Sequence, residues 1–306
     1  MLKLKALLLT QGMHGMISQV EGLAKALGLS FKHETIELRK FWNFIPPKIT
    51  PTFEGILKKK FICDSKIIIS CGRKSVVPSI LLKKRFKKEI FNIHIQDPKV
   101  NLNNFDSIIC PEHDNLYGQN VTKTKGAIHY LTKDEIKKNI NYLQPKENNK
   151  KIVTFILGGP NKYYSFSESQ MSKMFAKVKN MFVSSKYRLI IIPSYRTPEN
   201  ILKLAFNYFN LDHLVIKKRD KKAYLSSLGL ADLIIVTSDS ISMISEAAIT
   251  GKPIYIAKMS NKRSIHRFEK FYKLFKDLGI IRNLEDKIEH WNYEGLDEVN
   301  RAASQV

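Results

Sequence analysis

Cysteine is scarce in this sequence, with three in 306 residues. Cys63, Cys71 and Cys110 are odd in number and have no CxxC spacing. This argues against a disulfide framework or a thiolate metal site, and they read as small core residues near strands. No stretch of about 18 apolar residues occurs, so no membrane-spanning helix is expected. The opening MLKLKALLLTQGMHG has only a brief apolar run and no small-residue cleavage site after it, so it does not read as a secretory leader. It reads as a buried strand entering a Gly-containing loop, and a cytoplasmic chain is expected. No RNP-like aromatic motif, zinc finger or basic heptad helix is present, so nucleic acid is not expected as a partner. A DxD motif is also absent. Enzymes that hold a sugar diphosphate through Mg²⁺ usually need such paired acids, so no metal and no separate cofactor are expected. His94, His113 and His129 lack compact ligand spacing, which argues against zinc.

Acidic residues are the other shortage. Asp and Glu number 28 against 51 Lys and Arg, giving a net charge of +23 and a pI near 9.8. Such charge suits an anionic partner, either nucleic acid or an anionic lipid surface. Only 10 of the 51 basic residues are arginine, a lysine bias that an AT-rich genome produces with no partner at all. Lys58-Lys59-Lys60-Phe61 and residues 81–88 mix Lys with apolar anchors. They fit an anionic membrane surface at about 1 kcal/mol per basic residue, or else a solvated helix face.

What is present is a regular alternation of apolar β-branched runs with amphipathic segments, the pattern of parallel sheets covered on both faces. In the first half, strands are expected at 5–9, 33–37, 66–70, 89–96 and 107–110, with helices at 17–27 and 77–84. The polar run 145–150 breaks the pattern and marks a linker, dividing the chain into domains 1–146 and 147–306. In the second half, strands are expected at 151–157, 187–193, 214–216, 233–236 and, last, 253–256. Helices are expected at 168–182, 199–209, 222–228, 241–248 and 264–279, and the terminal helices are placed as packing back on the first domain.

Ligands of open α/β sheets bind beyond the carboxyl ends of strands, where the polar clusters of this chain fall. The sharpest is Thr237-Ser238-Asp239-Ser240-Ile241-Ser242, which follows an apolar strand and opens a helix. Free N–H groups and the helix dipole there suit a diphosphate. Glu246 lies one turn beyond Ser242, where a carboxylate can accept two ribose hydroxyls. The alternative is that Ser240 or Asp239 only caps the helix. Gly158-Gly159, with Asn161, lets a ligand approach the backbone. Ser194 and Arg196 end the next strand, and Arg196 suits a phosphate or a salt bridge.

In the first half, Gly12, Gly15 and Gln19 lie around the first loop, together with His14. Gly12 and Gly15 do not make a GxGxxG fingerprint. Arg73, His94, Gln96, Asp114, Asn120 and His129 complete a polar wall assigned to an acceptor. His14, Asp97, Glu112 and His113 are the candidates for catalytic acid or base.

Several segments resemble the mitochondrial-fission ELM-like family, which is named for a plant protein and widespread in bacteria. They are SQVEGLAKALG (18–28), CGRKSVVPS (71–79), HIQDP (94–98), PEHDNLYGQNVTKTKGAIH (111–129), LGGPNKYYSF (157–166), PSYRTP (193–198) and ADLIIVTSDSISMISEAAITGKPIYI (231–256). Members of that family resemble GT-B glycosyltransferases. The resemblance implies two Rossmann-like, doubly wound parallel-sheet domains facing a cleft, with Ser240, Ser242 and Glu246 holding a diphosphate and ribose. One departure is that the first-loop His of some relatives aligns near Met16, while this chain has His14. The expected activity is metal-independent transfer from a nucleotide-diphosphate sugar, with a lipid-linked or envelope-glycan acceptor at a membrane surface. A sugar-nucleotide epimerase and a non-catalytic membrane scaffold are the alternatives.

Overall fold

The structure, a computed structural model, describes residues 5–59, 63–86, 89–144, 149–285 and 287–306. Lys60 and Phe61, Lys87 and Lys88, and most of the expected linker (145–148) lie outside the described residues. The chain forms two compact units, Met1–Tyr130 with Asp297–Val306, and Leu131–Leu296.

Unit 1 is built on β1 (Lys5–Thr10), α1 (His14–Ala26), β2 (Ser30–Thr35), β3 (Ile67–Cys71), α2 (Arg73–Phe86), β4 (Phe91–Ile95), β5 (Ser107–Pro111) and β6 (Val121–Thr124). Its six strands are parallel in the order β2-β1-β3-β4-β5-β6. Alternation of side chains divides the core between the two faces. Leu8, Ile69, Ile93 and Ile95 pack under α1 with Val20 and Leu23. Leu7, Leu9 and Ile68 face Val77 and Leu82 of α2. Pro78 lies inside α2, which begins at Arg73 rather than at the expected residue 77.

Unit 2 comprises α3 (Lys133–Asn139), β7 (Lys151–Leu157), α4 (Glu168–Met181), β8 (Tyr187–Pro193), α5 (Glu199–Phe209), β9 (Leu214–Val215), α6 (Lys221–Leu230), β10 (Leu233–Thr237), α7 (Ile241–Ala248), β11 (Ile254–Ala257), α8 (His266–Asp277) and β12 (Ile281–Asn283). The sheet runs β12-β11-β10-β7-β8-β9, all parallel. This is the order of a Rossmann sheet, with its switch point between β7 and β10. The central strands are apolar throughout because helices cover both faces; every residue of β10 is buried.

β6, β12, α3 and the last helix, α9 (Glu298–Ala303), carry too little periodicity to be read from sequence. β6 is VTKT, a half-buried edge, and β12 has three residues. These elements also set where the chain changes units. The Ser226 hydroxyl of α6 donates to Ile140 O at 2.7 Å, tying the end of α3 to unit 2. Val299 and Ala302 of α9 join the α1 core, while the Glu298 carboxylate accepts from Lys125 N and from Arg301. Residues 131–144 therefore group with unit 2 and residues 297–306 with unit 1.

Candidate functional site

At the switch point of unit 2, the turns leaving β7, β8 and β10 are tied to one another. Gly158 N donates to Thr237 Oγ1 at 2.8 Å and Gly159 N to Asp239 Oδ2 at 3.2 Å. Asn161 Nδ2 donates to Asp239 O at 3.1 Å, and its side-chain Oδ1 accepts from Tyr163 N and Tyr164 N. Both glycines are required by close approach. A Cβ on Gly158 would lie 2.1 Å from Asp239 Oδ1, and one on Gly159 1.8 Å from Arg196 O. Ser194 Oγ accepts from Arg196 N at 3.2 Å and holds the third turn.

Of the two alternatives for Arg196, phosphate or salt bridge, the fold takes the salt bridge, with Asp239 as its partner. Arg196 Nη2 meets Asp239 Oδ2 at 2.5 Å, and Nη1 donates to Gly159 O at 2.7 Å. The Asp239 carboxyl, 2% exposed, also accepts from Thr237 Oγ1 at 2.6 Å. Burial pushes it above the usual carboxylate range, against Arg196 and these hydrogen bonds. The pair fixes the turns, and a phosphate would meet only the remaining face of Arg196. Ser238 is also buried within the framework, its hydroxyl accepting from Met259 N at 2.9 Å and its carbonyl from Tyr272.

The start of α7 is more open. Ser240 Oγ caps Met243 N at 3.4 Å, so the capping reading holds for that side chain. Among the described residues, the N–H groups of Ser240, Ile241 and Ser242 and the hydroxyl of Ser242 have no hydrogen-bond partner. The positive end of the helix dipole adds to these donors. Glu246 is 8% exposed, and its Oε2 accepts from Tyr224 at 2.9 Å. Burial raises its carboxyl from 4.5 to about 7, only partly offset by Tyr224. A half-neutral carboxyl one turn inside an anion-attracting helix end can exchange its proton for ligand hydroxyls near neutral pH.

Unit 1 gathers part of the expected acceptor set. Gln19 Nε2 donates to Gly15 O at 3.0 Å, and Gln96 Nε2 reaches Gln19 Oε1 at 3.5 Å. Gly12, with φ +81°, forms the tight turn after β1. Arg73 reaches back to the carbonyls of Asn43 and Ile45. Asp114 lies in the turn after β5, 3.9 Å from His113.

Other expected members are corrected by the fold. His94 is fully buried, held by Ser70 Oγ at 2.8 Å, and burial lowers its pKa to about 3, so it is a neutral core imidazole and not part of a cleft wall. Asn120 precedes β6, at the end of the sheet opposite the ligand edge, and donates to Leu102 O and Phe105 O at 3.0 and 2.8 Å. His129 is buried against α1, where a Cβ on Gly22 would lie 2.5 Å from its carbonyl oxygen.

The four catalytic candidates are spread along the carboxyl edge of unit 1. His14 is the exposed first residue of α1, with its ring centroid 6.1 Å from that of Tyr130. Asp97 pairs with Lys99 at 2.5 Å and Glu112 with Lys125 at 2.7 Å, while His113 is buried. Among the described residues, no group of three or more His, Cys, Asp or Glu is placed to hold a metal ion.

Sequence reasoning missed Thr197 and Tyr224. Thr197 Oγ1 donates to the Leu157 and Gly158 carbonyls at 2.8 Å. Thr237 was visible within the TSDS run. Tyr224 sits 22 residues before Glu246 on another helix, with no spacing to mark it.

The chain is 24% identical over 270 residues to mitochondrial fission protein ELM1 of Arabidopsis thaliana, covering 78% of this chain and 62% of that protein. It therefore spans about three-fifths of the plant relative's length. Among solved structures, MurG of Acinetobacter baumannii superposes with a TM-score of 0.56 at 12% identity, covering 99% of this chain and 89% of that one. The UDP-GlcNAc 2-epimerase of Methanocaldococcus jannaschii, solved in complex with UDP-GlcNAc and UDP, gives 0.54 at 13% identity and 99% coverage of both chains. These likenesses give the two Rossmann-like sheets their GT-B class. The family description "Mitochondrial fission ELM1" matches residues 14–306, and the chain belongs to that family.

Proposed function

We propose that this protein is a sugar transferase of the GT-B type that takes a nucleoside-diphosphate sugar in unit 2 without a metal ion. One observation carries the reading. The open N–H groups of Ser240, Ile241 and Ser242 stand at the β7/β10 switch point, one helical turn from the buried carboxyl of Glu246. The diphosphate lies against these donors, which stabilise the charge that develops as the sugar leaves. Glu246 accepts hydrogen bonds from the ribose hydroxyls, while Gly158 and Gly159 let the turns beside this helix end pack against Asp239 and Arg196. Among the catalytic candidates, His14 is the proposed base. It is the exposed first residue of α1, at the carboxyl edge of unit 1. The acceptor is proposed to be lipid-linked.

Support for a nucleotide sugar also comes from the epimerase neighbour, whose complex contains UDP-GlcNAc and UDP. The same likeness keeps an epimerase as a second reading, distinguished by turnover of the nucleotide sugar with no acceptor.

The test is thermal unfolding with UDP, GDP, TDP, CMP and their sugars, without Mg²⁺ and then with it. A ligand at 100 times its Kd adds about 2.7 kcal/mol of stability. A selective shift that needs no Mg²⁺ is expected, with affinity about tenfold weaker in Ser242→Ala, which about halves the added stability at the same ligand concentration. No shift with any nucleotide, or full retention in Ser242→Ala/Glu246→Ala, sinks the site.

A further inference from the structure

Apolar exposure in unit 1 is concentrated between β2 and β3. Phe41 is 66% exposed, Phe44 83%, Ile49 68% and Phe53 45%, all within thirteen residues (41–53). Single exposed apolar side chains are ordinary, whereas a cluster of this kind marks a contact surface.

The loop presenting them is closed and braced. Leu38 and Leu57 form an antiparallel bridge, with Arg39 N donating to Ile56 O and Lys58 N to Glu37 O, both at 2.9 Å. Ile36, Leu38, Pro47, Ile56 and Leu57 are buried beneath it. Thr50 Oγ1 donates to Pro46 O at 2.9 Å, and Arg73 reaches the Asn43 and Ile45 carbonyls from α2. Trp42 packs inward between Phe41 and Phe53, with ring centroids 4.9 and 6.0 Å away. The fold thus holds these side chains outward.

The surrounding charge selects the occupant. Arg39, Lys40, Lys48, Lys58, Lys59, Lys84 and Arg85 are all exposed around the loop or on the end of α2. The nearby acids are largely matched, since Glu37 pairs with Lys58 at 2.8 Å and Glu54 with Arg85 at 2.7 Å. Apolar rings framed by long basic side chains match the boundary between acyl chains and anionic headgroups. We infer that the loop 39–59 is a membrane-docking element that inserts Phe41, Phe44, Ile49 and Phe53 into an anionic bilayer. This assignment stands apart from the nucleotide reading, because the loop lies in unit 1 and the diphosphate site in unit 2.

The test is flotation of the whole protein with vesicles of phosphatidylcholine alone and with added phosphatidylglycerol. Salt-sensitive partition onto the anionic vesicles is expected. It should fall about tenfold for each ring removed in Phe41→Ser and Phe44→Ser, and Phe44→Ser should leave the unfolding temperature unchanged because that ring is 83% exposed. Emission from Phe44→Trp should shift to the blue and be quenched by brominated lipid. The inference is overturned if wild type does not float, or if the Ser variants float as wild type does. It is also overturned if the loop mediates only self-association, read by sedimentation without lipid. Nucleotide-induced thermal shifts should persist in the Ser variants, so the two proposals fail separately.

Discussion

Glu246→Gln is the most informative single change. The folded protein holds this carboxyl at about 7 against an ordinary 4.5, because it is buried with only Tyr224 as a hydrogen-bond donor. Below pH 4.5 folded and unfolded chains both carry the neutral acid, and nothing is lost. As pH rises, the unfolded chain ionises first while the folded chain keeps its proton, so stability falls. The loss levels off once the folded carboxyl also ionises, above about 7, at about 3 kcal/mol. Gln keeps an acceptor for Tyr224 and carries no charge. Relative to wild type, Glu246→Gln should therefore gain about 2.5 kcal/mol between about pH 5 and pH 8, or roughly 5–10 °C for a domain of this size. Urea and thermal unfolding at intervals across that range give the answer. A constant difference between the two proteins refutes a neutral buried carboxyl. At the proposed nucleotide site the same group should make binding pH-dependent, because ribose hydroxyls that donate to its charged form lower its pKa. Calorimetry at about pH 7 in buffers of unequal ionisation enthalpy should record release of up to about half a proton in wild type and none in Glu246→Gln.

The braced turns make two further predictions. Gly159→Ala places a methyl 1.8 Å from a backbone oxygen that cannot swing away, so it should cost about 2–3 kcal/mol in urea unfolding; a cost under about 0.5 kcal/mol shows that the turns are not locked. Asp239→Asn leaves Arg196 without its carboxylate, and a broken buried pair costs about 3 kcal/mol, trimmed here to about 2 because the Arg196 side chain is 34% exposed. Near-wild-type stability in Asp239→Asn would reassign Arg196 from framework to ligand.

Much of the architecture follows from local pattern. Most central strands are short apolar runs, and the hydroxyl-rich and glycine turns appear where those runs end, because parallel strands covered on both faces hold few polar residues between their ends. On that basis Gly158, Ser242 and Glu246 could be named as one group. The edge strands β6 and β12 could not, since half-exposed strands of three or four residues have neither length nor alternation to mark them. Nor could the contrast between Gln96, which meets Gln19, and Asn120, which anchors the far end of the sheet.

The remaining properties depend on strand permutation and burial. β7 lies beside β10, so Gly159 meets Asp239 across 80 residues of sequence, and only that neighbourhood turns Arg196 into the partner of a buried carboxylate. Burial, which no spacing rule measures, makes His94 a neutral core residue and lifts Glu246 to about 7. Polar residue types at strand ends are local information. Whether each faces a ligand, a partner side chain or the core is set by what the folded chain packs against it, because desolvation and hydrogen-bond geometry exist only once distant segments meet.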